Sequence, residues 1–81
     1  MLGAKTIRRN FHALRHEGDI GNRDEESIPI GAAVNVTRWE LEEAPGDPIF
    51  VVEFDYAGSR WDAIFDGPDE NGLLEPVGTF Q

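Results

Sequence analysis

His12 and His16 stand four residues apart. On a helix that interval puts both imidazoles on one face, where two nitrogens can hold a metal ion, and Glu17 and Asp19 follow closely enough to complete a ligand set. Arg8, Arg9 and Arg15 surround the pair, and their charge opposes a cation. A second oxygen-rich group, Asp62, Asp66, Asp69, Glu70 and Glu75, gathers about a turn and carries the donor chemistry of a calcium site. Its glycine, Gly72, comes too early for the calcium-loop pattern, and Asp-Gly and Asn-Gly form turns without any ion. The expectation is no metal at either place. The chain has 0 Cys, which removes disulfides, thiolate zinc, iron–sulfur clusters and thiol catalysis together. Ser27 and Ser59 both fall in predicted turns, and Gly58, Gly67, Gly72 and Gly78 are isolated rather than gathered into a phosphate-binding loop. With 81 residues to build a core, little is left to enclose a pocket, so no catalytic residue, no enzyme activity and no cofactor are expected.

Charge is the distinctive feature. Sixteen Asp and Glu against seven Lys and Arg give a formal net charge of -9. The distribution is uneven: residues 1–16 hold Lys5, Arg8, Arg9 and Arg15 and no acid, whereas residues 17–81 hold every acid and only Arg23, Arg38 and Arg60. An acidic body of this kind repels nucleic acid within a Debye length of about 8 Å, so its natural partners are cationic surfaces. No apolar run approaches the roughly 20 residues of a membrane span, and the basic N-terminus lacks the apolar stretch of a secretory signal. A cytoplasmic protein with no membrane association is expected.

The elements that must position these residues follow from periodicity. Ala4, Ile7, Phe11 and Leu14 are spaced three, four and three apart, which predicts an amphipathic helix near 5–17, with Arg15 and His16 at its negative end and Gly18 to close it. Residues 19–27 read as an acidic loop with turn residues at Gly21 and Asn22. From Ile28 the period becomes two. Val34 and Val36 alternate with polar neighbours, the phase slips to Trp39 and Leu41, and a strand near 33–42 with a bulge at Thr37 and Arg38 follows. The prolines and glycine of residues 43–48 end it. A second strand points Phe50, Val52, Phe54 and Tyr56 one way and Ile49, Val51, Glu53 and Asp55 the other. Ala57 to Ser59 then turn into a third strand with Trp61, Ala63 and Phe65 inward. A last strand, from Leu73 to Phe80, is interrupted at Pro76 and Gly78 and reads as an edge.

These readings give a single domain over 1–81: a basic helix to residue 18, the acidic loop at 19–27, and a meander from residue 28. The fold class is α+β, an N-terminal amphipathic helix followed by a three- to four-stranded antiparallel β-meander. As the alternative, residues 28–78 resemble SH3-like barrels in their rhythm of strands and glycines, a likeness of spacing that implies no function.

Two surfaces are candidates for function. Glu40, Glu42, Glu43, Asp47, Glu53, Asp55, Asp62 and Asp66 form a predicted acidic face, where like charges on neighbouring strands cost stability that only Arg38 and Arg60 offset. Lys5, Arg8, Arg9, His12 and Arg15 form the predicted basic helix. The leading expectation is a non-catalytic protein-binding module whose acidic face engages a basic, nucleic-acid-binding surface. In size and charge it is similar to immunity proteins and to phage-encoded inhibitors of defence and transcription. The alternative is nucleic-acid binding through the basic helix. A third reading docks that helix on the acids of the same chain or of a second copy, giving a homodimer, and the bland reading is a face solvated for solubility or high salt.

Overall fold

A computed structural model describes residues 2–16, 25–43, 46, 48–66 and 75–81. Among the described residues, six strands and one short helix follow in chain order: β1 Gly3–Thr6, β2 Phe11–Arg15, β3 Glu25–Ile28, β4 Ala33–Glu43, β5 Pro48–Tyr56, β6 Ser59–Asp66 and α1 Glu75–Thr79. All pairings are antiparallel and form one sheet in the order β1-β4-β5-β6-β2-β3.

The predicted N-terminal helix is not there. Its residues form β1 and β2 on opposite sides of the β4-β5-β6 meander, so the α+β class, with a helix ahead of a meander, gives way to a structure that is mostly one six-stranded antiparallel sheet. The three-four-three spacing was compatible with both outcomes, because two strands of four and five residues are too short for period two to exclude period 3.6. Long-range pairing decides between them. A bare three-stranded meander exposes two rows of unpaired backbone groups, and β1 covers part of one, from Ala33 to Val36, while β2 covers part of the other at Trp61 and Asp62. A short isolated helix would offer no comparable gain. The helical stripe accordingly splits: Ile7 is buried, Leu14 turns to the outer face, and Ala13, which lay off the stripe, is in the core. In the segment expected to be an acidic loop, Glu25 to Ser27 belong to β3, recruited by pairing with β2, while residues 19–24 lie outside the described residues.

The expected register features of the meander are present. Val36 opposes Phe54 and Arg38 opposes Glu53, leaving Thr37 as the bulged residue. The extra residue switches parity, so that Val34, Val36 and Trp39 can all face inward although 36 and 39 differ by three. Thr37 Oγ1 donates to the Glu53 carbonyl at 3.3 Å, tying the bulge to β5. At the β5-β6 hairpin, Ala57 and Gly58 have φ of 51° and 81°. Both being positive is the mark of a type I′ turn, whose twist matches that of the strands it joins.

The sheet must curl. Between β1 and β2 lie three strands, about 19 Å across at the usual strand spacing, whereas the five residue steps from Thr6 to Phe11 reach about 16–18 Å at full stretch. Ile28 to Ala33 spans from β3 to β4 under the same constraint. The two crossing connections meet at Ile7, whose N–H donates to the Ala32 carbonyl at 2.9 Å and whose carbonyl accepts from Gly31 at 2.7 Å. The Ile30 N–H donates to Asn10 Oδ1 at 3.2 Å, a further tie between them.

The C-terminus also departs from expectation. Instead of an edge strand, residues 75–79 make a single helical turn, and Phe80 forms an isolated bridge with Ile7. Proline is tolerated in a first helical turn, where its missing N–H has no partner to lose, and Pro76 occupies that place. The Phe80 ring, 3 % exposed, fills the hollow of the curled sheet. It lies 5.1 Å from Phe11, 5.5 Å from Phe54, 6.0 Å from Phe65 and 6.1 Å from Trp39, centroid to centroid. Around it the inward residues of β4, β5 and β6 build the core: Val34, Val36, Phe50, Val52, Phe54, Trp61, Ala63 and Phe65.

Candidate functional site: the outer face of the sheet

Alternation that sends Phe54 and Trp61 inward sends their neighbours outward. Along one row, successive cross-strand partners are Glu25, Leu14, Asp62, Glu53 and Arg38. A second row places Ile64 opposite Val51 and Val51 opposite Glu40, and a third places Asp66 opposite Ile49 and Ile49 opposite Glu42. Glu40, Glu42, Glu53, Asp55, Asp62 and Asp66 thus share the outer face of β4, β5 and β6. Glu43 has the opposite parity at the strand end and is exposed there; Asp47 lies outside the described residues.

The face is a mosaic of paired charges. Arg38 donates to Glu40 at 2.7 Å and Glu42 at 2.8 Å, and more loosely to Glu53 at 3.5 Å. The hydrogen bond from Arg38, and then its charge, hold the Glu40 carboxyl below the ordinary carboxylate range; the same contacts raise Arg38, which stays protonated. Arg60 Nε donates to Asp55 at 3.3 Å, and His16 Nδ1 lies 2.8 Å from Asp62 Oδ2. The two arginines singled out by the sequence are the ones that pair with the cross-strand acids, and His16, just past β2's end, adds a hydrogen-bond contact to Asp62 that the sequence did not signal.

Between the charges lies an apolar strip. Leu14, Val51 and Ile64 line a groove of about 460 Å³ together with His12, Arg38, Glu53 and Asp62. Ile64 is 63 % exposed, while Leu14 and Val51 beside it are half-buried. A second depression, beside the hairpin turn, shares His16 and Glu53 with the first.

The basic residues do not share one helical face. Lys5 lies in β1, and Arg8 and Arg9 are exposed on the connection to β2. His12 reaches the outer groove, while Arg15 turns to the other side, 5.1 Å above the Trp61 ring and 3.0 Å from Glu26. The nucleic-acid reading and the docked-helix reading were drawn for a basic helix, and the segment that was to form it makes β1 and β2 instead. The metal sets named by spacing also separate. On a strand, His12 and His16 are about 13 Å apart along the chain direction, and so are Asp62 and Asp66. Glu17, Asp19, Asp69 and Glu70 lie outside the described residues, as does the side chain of Glu75.

Among the described residues no helix is long and apolar enough to cross a membrane. Compared with protein-family models, with curated proteins and with solved structures, the chain finds no match in any of the three.

Proposed function

We propose that this chain is a non-catalytic protein-binding module that offers the outer face of β2, β4, β5 and β6 to a basic surface of a cytoplasmic partner. One observation carries the reading: six carboxylates share one sheet face with an apolar strip in which Leu14 and Val51 are half-buried and Ile64 is exposed. Leu14, Val51 and Ile64 supply area whose burial favours association, and the carboxylates around them favour cationic partners and reject anionic ones. A partner's arginine or lysine fits such a face with its alkyl stem on the strip and its charge at Glu53 and Asp62. Basic nucleic-acid-binding surfaces have this composition, which makes an inhibitor that competes with nucleic acid, as in phage anti-defence or immunity proteins, the role we favour.

Capture from a bacterial lysate in EDTA and low salt, followed by mass spectrometry, tests it with a surface variant as the comparison. Wild type should retain a protein with a basic surface that elutes as salt rises, and the Glu53→Gln, Ile64→Ser double variant should lose it. Equal capture by both chains, or retention indifferent to salt, overturns the proposal.

A further inference from the structure

Two strands and the residue that follows a third bring one donor each to the same part of the outer face. Glu53 on β5 and Asp62 on β6 are direct cross-strand partners. His16 follows β2, and its N–H donates to the Arg60 carbonyl at 2.8 Å, which carries the β2-β6 ladder one step past the strand end. A ligand atom from each of the three lies within 4.8 Å of the others. Tetrahedral bonds of about 2.0–2.1 Å set donors roughly 3.3 Å apart, so side-chain rotation of the order of an ångström closes the set without backbone movement.

We propose that His16, Glu53 and Asp62 bind a divalent transition-metal ion of the zinc class. One imidazole nitrogen and two carboxylate oxygens suit that borderline cation, and three protein ligands leave a fourth position open. Directly opposed carboxylates repel one another in a sheet, and an ion between them turns that cost into binding. Arg38 is the competing cation, but its contact with Glu53 is the longest of its three, and Glu40 and Glu42 hold it on the far side. Glu53 and Asp62 are 23 % and 14 % exposed, whereas His16 is 49 % exposed, so the open position faces solvent. The two depressions that share His16 and Glu53 give an ion access from either side.

The inference does not rest on the partner-binding reading, whose capture experiment excludes metal. The test is titration of the full chain with zinc chloride by calorimetry, with cobalt(II) absorption as a report on ligand geometry. Wild type should bind one zinc and acquire cobalt ligand-field bands. His16→Ala, at an exposed position, and Asp62→Asn should each weaken zinc at least tenfold, while His12→Ala, in the same groove but outside the set, should bind as wild type does. Circular dichroism confirms that each variant is folded, and His16→Ala suffices should Asp62→Asn unfold. No binding at millimolar zinc, or equal binding by wild type and His16→Ala, overturns the proposal.

Discussion

Among the described residues, Ala57 is the one most at odds with its own backbone. Its φ of 51° lies in the left-handed region, which costs an L-residue with a β-carbon roughly 1–2 kcal/mol unless its side chain can bond locally. The hairpin accepts this because the type I′ turn needs positive φ at both central positions. Ala57→Asn should therefore stabilise the fold by up to about 1 kcal/mol, read as a higher urea midpoint at unchanged slope. Trp61 shows the opposite balance: it is buried, its indole Nε1 donates to the Tyr56 carbonyl at 3.1 Å, and Arg15 covers its face. Trp61→Ala should cost about 3–5 kcal/mol, most of the stability expected of so small a domain. The Arg38 cluster makes a prediction about pH. Because Glu40 has a lowered folded pKa, its stabilising contribution is present above its unfolded pKa and is lost as pH falls through the folded value. In Arg38→Gln, a carboxyl-detected NMR titration should show Glu40 returning up to the ordinary range.

At the scale of elements, Phe80 separates an edge strand from a plug. As an edge residue it would contribute little, but as the ring at the centre of the curled sheet its replacement by Ala should cost about 3–5 kcal/mol in equilibrium denaturation. A loss below about 1 kcal/mol would contradict the plug. The sequence disclosed the central meander because its signals are local: Val34, Val36 and Trp39 record the bulge, Phe50 to Tyr56 alternate over a whole strand, and Ala57-Gly58 marks the turn. It hid β1, β2 and α1 because their conformations depend on residues far along the chain. Thr6 accepts a hydrogen bond from Gln81, and Leu14 meets Asp62, pairings that no local period encodes. The candidate site divides the same way. The sharing of one face by Glu53, Asp55 and Asp62 was legible from alternation, whereas His16 joined them only once β2 proved to be a strand.

For the whole molecule, a net charge of -9 makes association salt-sensitive whatever the contact, so salt dependence alone does not locate the binding surface. Glu53 and Asp62 repel one another as direct cross-strand partners, and the Arg60–Asp55 pair is exposed and contributes about 0–1 kcal/mol, so changing Glu53, Asp55 and Asp62 to their amides should move the melting temperature little, relief of repulsion offsetting the lost pairs, while weakening partner capture. That separation of stability from binding is what a functional face requires. The most direct measurement is an amide-resolved NMR titration of the intact chain with an arginine-rich peptide in low-salt EDTA buffer. Shifts concentrated on Leu14, Glu40, Val51, Glu53, Asp62 and Ile64, saturating together, are the predicted result. Shifts spread over every acidic residue alike, with Leu14, Val51 and Ile64 unmoved, would contradict the account.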